Sequence, residues 1–126
     1  MKTLEQEAQE FLKEKYKMSD FNSYQRSAKG TAIYPDKYKI LYPALGLAGE
    51  AGEVANKVKK IVRDGPENMP EDWREQLASE LGDVIWYCAA LASDLNISLG
   101  QVAGQNLEKL ARRQQANTLS GSGDNR

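Results

Sequence analysis

A pattern of eight residues occurs twice in this chain, as LAGEAGEV at residues 47–54 and as LASELGDV at residues 77–84. Each copy holds two acids three residues apart, a spacing that places them on one face of an α-helix. With about 100° of rotation per residue, both pairs border the apolar stripe of their helix, whereas solubilising acids usually occupy the opposite face. The repeat therefore predicts two facing helices that bring four carboxylates together. These acids are Glu50, Glu53, Glu80 and Asp83.

A glycine stands inside each acid pair, Gly52 in the first copy and Gly82 in the second. A glycine within a helix costs about 1 kcal/mol relative to alanine, so we expect close packing at both positions. The alternative for any single acid pair is a solvated helix face, because acids with this spacing are common on helix surfaces. The duplication beside two apolar stripes is what favours a metal site.

The residue types that are missing restrict the chemistry of such a site. The chain has no histidine and one cysteine, Cys88, which excludes histidine-based triads, zinc centres with histidine ligands and a disulfide within the chain. Metal ligands must then be carboxylates, whose hard oxygens favour Mg²⁺ or Mn²⁺. Cys88 lies on the apolar stripe of its helix and is predicted to be an inert core thiol.

Size and charge limit the class of protein. The 126 residues correspond to one domain, and a formal net charge of −1 argues against a protein that coats a nucleic-acid polymer. No apolar run is long enough to cross a membrane, and no basic segment followed by an apolar one indicates an export signal. We therefore expect a cytoplasmic protein whose partners include neither a membrane nor a nucleic-acid polymer.

Apolar spacing and helix-end signals predict an all-α fold, a bundle of four to five helices. The expected helices cover residues 3–17, Asp20 to Lys29, Pro43 to about Arg63, Pro70 or Glu71 to about Leu95, and Ser98 to about Gln115. Residues 1–19 form an N-terminal packing element, residues 20–116 the bundle domain, and residues 117–126 a flexible glycine-rich tail. Several apolar residues are expected to face the core. They are Phe21, Tyr24, Ala28, Val58, Val62, Leu81, Val102, Leu107 and Leu110.

The long central helix carries a segment, residues 84–92, that is apolar almost all round. A helix that is apolar on every side is buried on every side. We therefore predict a homo-oligomer, most simply a dimer, formed through Trp86 and its neighbours in this helix. The alternative is that the N-terminal helix covers Trp86 within one chain.

An irregular segment rich in tyrosine, residues 31–42, leads into the first acidic helix. It contains Tyr34, Tyr38 and Tyr42. Exposed tyrosines beside an acidic site are suited to stacking on a flat ligand. The alternative, that each of them covers the end of the bundle, is equally compatible with the pattern.

Three motifs together resemble a known family. They are the segment from Leu45 to Val54, the segment from Glu80 to Val84, and Asn106 followed by Lys109-Leu-Ala-Arg-Arg113. Over about residues 20–126 the chain resembles the MazG-like nucleoside triphosphate pyrophosphohydrolases, an all-α superfamily that includes dimeric dUTPases. The resemblance implies a homodimer or homotetramer that cleaves a nucleoside triphosphate into the monophosphate and pyrophosphate. One departure is Gly49, which stands where many relatives have a further acid.

The resemblance also assigns roles to residues of this chain. It implies that the four acids hold Mg²⁺, with Glu50 or Glu53 as the catalytic residue that activates water. Further residues correspond to positions that contact substrate: Asn106, Lys109 and Arg113 on the phosphate side, and Tyr34, Tyr38 and Tyr87 beside the base. On grounds of charge alone, Lys57 is expected to join Lys109 and Arg113 in offsetting the charge of the leaving pyrophosphate. The opposing hypothesis is a non-catalytic module for helical oligomerisation or nucleotide binding.

Overall fold

The computed structural model describes residues 1–8, 10 and 20–126 of the chain. These residues are helical or irregular and contain no strand, which confirms the predicted all-α fold. Residues 4–8 and 10 are helical and are called α1. Most of the helix predicted for residues 3–17 lies outside the described residues. The other helices are α2 (Phe21–Lys29), α3 (Leu41–Asp64), α4 (Trp73–Asp94) and α5 (Leu99–Gln115), with short 3-10 turns at Asp36–Tyr38 and Pro66–Asn68.

The ends of the helices follow local sequence signals. Asp20 caps α2 by accepting a hydrogen bond from the backbone N–H of Ser23 at 2.7 Å, and Ser98 caps α5 by accepting one from Gln101 at 3.0 Å. Helix α3 stops at Gly65, whose φ of 90° is accessible to glycine without strain. Helix α4 begins two or three residues later than predicted, because the chain after Pro70 first makes a turn in which Trp73 donates to the Pro70 carbonyl.

Helices α3 and α4 form an antiparallel pair. Gly46 lies against Tyr87, Glu50 lies near Asp83, and Lys57 lies near Glu80. Residue numbers therefore rise along α3 while the numbers of the contacting residues fall along α4. The loop between the two helices is short, as antiparallel neighbours require. This pairing places the two copies of the repeated motif opposite each other.

Helix α2 packs against α4 and α5 through a buried amide. Gln25 is 8% exposed; its Nε2 donates to Ser93 Oγ at 3.1 Å and to the Ile97 carbonyl at 3.0 Å, while its Oε1 accepts from the Leu99 N–H at 2.8 Å. The amide thus satisfies polar groups of the α4–α5 turn that would otherwise be buried without partners. The sequence analysis missed Gln25, since a lone polar residue in a short helix resembles surface.

The buried core is small and lies where α2, α4 and α5 meet. Ala28, Ala89, Ala92 and Leu99 form its centre, with Cys88 packed against it. Burial raises the pKa of the Cys88 thiol, which agrees with the prediction of an unreactive core cysteine. Phe21, however, is 53% exposed, so its predicted inward orientation is wrong. It lies two helical turns away from Ala28, the residue of α2 that joins the core.

Several apolar residues that were predicted to face the core are exposed in the single chain. The exposed fractions range from 38% at Leu110 to 77% at Val62. For the residues of α3 and α4, the reason is that α2 and α5 pack on α4 and leave one side of the α3–α4 pair open. The corrected residues are Val58, Val62, Leu81, Val102, Leu107 and Leu110. No described helix is long and apolar enough to cross a lipid bilayer.

Trp86 is partly buried within the chain. Its ring packs against the alanine-rich core, and its indole N–H donates to Thr31 Oγ1, just after α2, at 2.8 Å. The described residues of α1 are exposed, so this contact comes from the segment after α2. Oligomerisation through α4 stays a prediction.

Candidate metal and nucleotide site

Three of the four predicted acids meet between α3 and α4. Glu50 projects from α3, and Glu80 and Asp83 project from successive turns of α4; one carboxylate oxygen from each lies within 4.8 Å of the others. Glu50 and Glu80 are partly buried, whereas Asp83 is exposed. We call these three residues the acid site. The arrangement follows from the antiparallel pairing of two helices that each carry acids at the edge of an apolar stripe.

Glu53 lies outside this group. It is exposed on α3, one turn after Glu50, and its charge still acts on Glu50, where it contributes to a raised pKa. Its assignment as a metal ligand therefore stays a prediction.

The charges of the acid site oppose one another. The pKa of Glu50 is raised, first by partial burial and then by the negative charges of Asp83, Glu80 and Glu53. A divalent cation between the carboxylates would reverse this effect, because an opposite charge favours the ionised form. All the donors are carboxylate oxygens, a set that suits Mg²⁺ or Mn²⁺. The donor chemistry therefore fits the predicted metal.

One cation of the chain already borders the acid site. The Nζ of Lys57, on α3, lies 3.7 Å from Glu80 Oε1. Both side chains are partly buried, at 32% and 18% exposed. The ammonium group offsets part of the local negative charge, and the predicted contact of Lys57 with phosphate stays a prediction.

Tyr87 lies directly beside the acids. It lines an open cavity of about 350 Å³ together with Glu50, Asp83 and Trp86. Its ring lies 6.2 Å from that of Tyr42, which in turn stacks on Tyr34 at 4.7 Å and 19°. Burial, followed by the neighbouring Tyr42 hydroxyl, raises the pKa of Tyr87. The result is a continuous row of aromatic rings that leads from the tyrosine-rich segment to the carboxylates.

Gly46, which the sequence analysis did not single out, allows the Tyr87 ring to lie close to the backbone of α3. A Cβ atom added at Gly46 would overlap the ring of Tyr87, whereas one added at Gly52 or Gly82 would meet nothing within 4 Å. The close packing predicted at Gly52 and Gly82 is therefore wrong within the chain. Both residues are exposed, on the side of their helices that turns away from the α3–α4 contact.

The tyrosine-rich segment is held in place by Asp94, at the end of α4. Its Oδ2 accepts hydrogen bonds from the Tyr34 hydroxyl at 2.8 Å and from the Ile40 N–H at 2.9 Å. Ile40 has a φ of 68°, an unfavourable value for a β-branched residue, which this bond helps to maintain. Burial and the bond to Asp94 raise the pKa of Tyr34 to about 12. Nothing in the local sequence pointed to Asp94.

Tyr38 does not join the row of rings. It lies in the 3-10 turn Asp36–Tyr38, is 42% exposed, and has the Lys37 ammonium 5.0 Å from its ring centre. Tyr42, at the start of α3, is the tyrosine of this segment that stacks on Tyr34. Its position four residues before Gly46 places the two residues on the same face of α3.

The predicted phosphate-binding residues of α5 do not line the cavity at the acid site. Asn106 is exposed. Lys109 Nζ and Arg113 Nη2 instead pair with Asp124 Oδ1 in the tail, at 3.1 and 3.2 Å. In the described part of the chain, these two cations therefore contact the C-terminal tail.

The chain is similar to a known protein family and to known proteins from a phage and a bacterium. The model of the family described as the MazG nucleotide pyrophosphohydrolase domain matches residues 42–117, which include α4, α5 and all but the first residue of α3. Gene 37 protein of Mycobacterium phage L5 is 49% identical over 109 residues, covering 82% of this chain and 96% of that protein. Uncharacterized protein YvdC of Bacillus subtilis (strain 168) is 39% identical over 72 residues, covering 53% of this chain and 68% of that protein. No solved structure matches.

Proposed function

The chain belongs to the MazG nucleotide pyrophosphohydrolase family, and from this premise we propose that it cleaves a nucleoside or deoxynucleoside triphosphate into the monophosphate and pyrophosphate. The observation that supports the proposal most is the meeting of Glu50, Glu80 and Asp83 within 4.8 Å. Partial burial and then the charges of the neighbouring acids raise the pKa of Glu50, and binding of a cation would offset the repulsion between these charges.

The reaction is proposed to depend on Mg²⁺, with Mn²⁺ as a substitute. Glu50, Glu80 and Asp83 would hold the ion, with Glu53 as a further ligand one turn away. When bound, such an ion polarises phosphoryl oxygens and lowers the pKa of a coordinated water. Because the chain has no histidine, we propose that a carboxylate also accepts the proton of the attacking water.

The chain's own residues then act on the substrate in separate ways. A water attacks the α-phosphorus and passes its proton to the carboxylate of Glu53 or Glu50, while the bond from the α-phosphorus to the bridging oxygen breaks and pyrophosphate leaves. Lys57 offsets the charge that develops on the departing group. Tyr87 and the row of rings behind it offer a flat apolar surface for the base.

An oligomer is part of the proposal. The exposed apolar residues on the open side of α3 and α4, among them Val62 and Leu81, support association into a homodimer or homotetramer, because contiguous exposed apolar surface usually marks an interface.

The proposal is tested by incubating the protein with a panel of ribo- and deoxyribonucleoside triphosphates and Mg²⁺, and then separating the products by chromatography. Monophosphate plus pyrophosphate is the expected result. Diphosphate plus phosphate would instead indicate a different hydrolase. No turnover across the panel would favour a non-catalytic module for oligomerisation or nucleotide binding.

A variant pair links the activity to the acid site. Asp83→Asn removes a charged ligand and should lower kcat by at least about 100-fold with unchanged helicity by circular dichroism. Glu108→Gln, which neutralises an exposed acid on α5, should retain full activity. Turnover of Asp83→Asn at the rate of Glu108→Gln would exclude Asp83 from the site.

A further inference from the structure

A single carboxylate oxygen is bonded to the chain beside both rings of the stacked tyrosine pair. Asp94, the last residue of α4, accepts through Oδ2 from the Tyr34 hydroxyl at 2.8 Å and from the Ile40 N–H at 2.9 Å. Ile40 immediately precedes α3, and Tyr42 is the second residue of that helix. Asp94 therefore holds one ring of the pair directly and fixes the backbone from which the other ring projects.

The position of Asp94 is unfavourable for its own helix. The C-terminal end of a helix carries a partial negative charge, which repels an acid in the last turn of α4. The same carboxylate lies at the N-terminal end of α3, where unpaired N–H groups and a partial positive charge favour an anion. The acid is therefore explained by its contacts with α3 and the tyrosine-rich segment, and not by the needs of α4.

The backbone that Asp94 holds is strained. Ile40 has a φ of 68° and a ψ of −55°, a region that is costly for a β-branched residue. Such conformations persist only where surrounding contacts impose them, and they concentrate at binding and catalytic sites. The hydrogen bonds of the 3-10 turn Asp36–Tyr38 are local, whereas the two bonds to Asp94 attach residues 34–40 to α4.

Asp94 also lies on the face of α4 that carries the acid site. It follows Tyr87 by seven residues, or about two helical turns, a spacing that places both on one face. The rings of Tyr34 and Tyr42 lie between them: the first is bonded to Asp94, and the second lies 6.2 Å from the ring of Tyr87. Tyr87 lines the cavity at the acid site. The row of rings is thus anchored by Asp94 at one end and reaches the carboxylates at the other.

We infer that Asp94 is a positioning residue for the nucleotide base: by holding Tyr34 and the start of α3, it orders the rings of Tyr42 and Tyr87 on which the base stacks. The inference rests on the proposed function, which supplies a ligand with a base. A surface that is already ordered loses less conformational freedom when the ligand binds, so the ordering contributes to affinity.

The kinetic effect of Asp94 should differ from that of the acid site. The base is remote from the reacting phosphorus and is bound equally in the ground state and in the transition state. Loss of the ordering should therefore raise KM and leave kcat nearly unchanged. A fall in kcat with an unchanged KM in Asp94→Ala would overturn the inference.

The test measures, by calorimetry, the binding of α,β-methylene nucleoside triphosphates with Mg²⁺ to the full-length chain. The analogues of adenosine, guanosine, cytidine and uridine triphosphate carry a base, but a methylene group replaces the oxygen at which the proposed reaction cleaves. Asp94→Ala should bind the analogue preferred by the wild type about five- to ten-fold more weakly, within the range that base stacking on aromatic rings supplies. Inorganic tripolyphosphate, which has no base, should bind both proteins equally. Equal weakening of both ligands would overturn the inference, because it would indicate a general loss of structure.

Two further variants sharpen the test. Asp36→Ala is the matched control, because it removes an exposed acid from the same segment and leaves the bonds to Asp94 in place; if Asp94→Ala bound the analogue as tightly as Asp36→Ala, the inference would fail. Tyr34→Phe keeps the ring but loses its bond to Asp94. It should weaken analogue binding in the wild type and add nothing in Asp94→Ala, because both changes break the same contact. Additive effects would contradict the inference.

The outcomes separate from those of the product panel. A chain without hydrolase activity in which Asp94→Ala still weakens analogue binding would lose the proposed reaction and keep the positioning role. A wild type that binds no analogue more tightly than tripolyphosphate would lose the positioning role, whether or not it hydrolyses nucleotides.

Discussion

Glu50 is the carboxyl group on which most of the local charge acts. Its pKa is raised above the ordinary value by partial burial and by three neighbouring acids. A group whose pKa is raised on folding stabilises the protein below its unfolded pKa, and that contribution is lost as the pH rises through the folded value. At neutral pH, ionised Glu50 therefore opposes folding in the absence of a bound cation.

The variant Glu50→Gln should accordingly raise the melting temperature of the metal-free protein at pH 7, because a neutral amide removes the repulsion from Asp83 and Glu80. The proposed metal site also predicts that Mg²⁺ raises the melting temperature of the wild type, and the same change should abolish that rise. Differential scanning fluorimetry with and without Mg²⁺ measures both effects. A lower melting temperature than that of Glu108→Gln without metal would contradict this account of Glu50.

Tyr34 offers a second titration, far from neutral pH. Its pKa is raised to about 12 by burial and by the bond to Asp94, so the stability that this bond contributes is complete below about pH 10, the ordinary tyrosine pKa, and is lost as the pH rises towards 12. Tyr34→Phe should cost about 1 kcal/mol at pH 7. It should also remove the ionisation at the highest pH from an ultraviolet titration of the tyrosines. If another tyrosine were responsible for that ionisation, it would persist unchanged in the variant.

Among the elements, the contact between α3 and α4 has the strictest steric requirement. It brings the Tyr87 ring against the backbone of Gly46, where a side chain would overlap it, and the same contact aligns Glu50 with Asp83. The close approach lies one helical turn before the first acid. The glycines inside the acid pairs, by contrast, face open space.

This difference predicts opposite effects for two glycine substitutions in α3. Gly46→Ala should destabilise the protein by about 1–3 kcal/mol, the usual range for overpacking, and should alter the near-ultraviolet circular dichroism of the tyrosines. Gly52→Ala should stabilise it by up to about 1 kcal/mol, because alanine favours the helix and meets no neighbour. Urea unfolding measures both values. Equal effects of the two substitutions would show that Tyr87 does not pack on Gly46.

At the scale of the whole molecule, the main feature is that no other described helix covers one side of the α3–α4 pair. Among the described residues, the buried apolar side chains are mostly alanines, whereas larger apolar residues such as Val62, Leu81 and Ile85 are 42–77% exposed. Exposed apolar surface of this kind favours association, since burying it is worth about 25 cal/mol per Å².

The protein should therefore have a solution mass of two or four times the 14.0 kDa chain. Ile85, which is 42% exposed beside Trp86, should be critical: Ile85→Asp should shift the mass to that of a single chain while leaving helicity unchanged. Ile33→Asp, at a residue that is 95% exposed in the tyrosine-rich segment, is the control and should not change the mass. Light scattering coupled to gel filtration distinguishes the cases. A wild-type protein with the mass of one chain would refute the oligomer.

Features encoded within a few residues could be predicted from the sequence alone. The caps at Asp20 and Ser98 and the stop at Gly65 depend on hydrogen bonds and backbone preferences inside one helical turn. The spacing of the acids likewise determines that each pair shares a helix edge. The all-α fold and the acid-bearing faces of α3 and α4 followed from such local information.

Features that depend on how distant helices meet required the tertiary structure. Axial offset and rotation decided that Glu50 joins Glu80 and Asp83 while Glu53 lies outside the group, and that Gly46 rather than Gly52 touches α4. The tie between Asp94 and Tyr34 and the pairing of Arg113 with Asp124 also arose this way. A shift of one residue rotates a helix face by about 100°, so a local pattern names the groups available for a site and the packing of the helices selects among them.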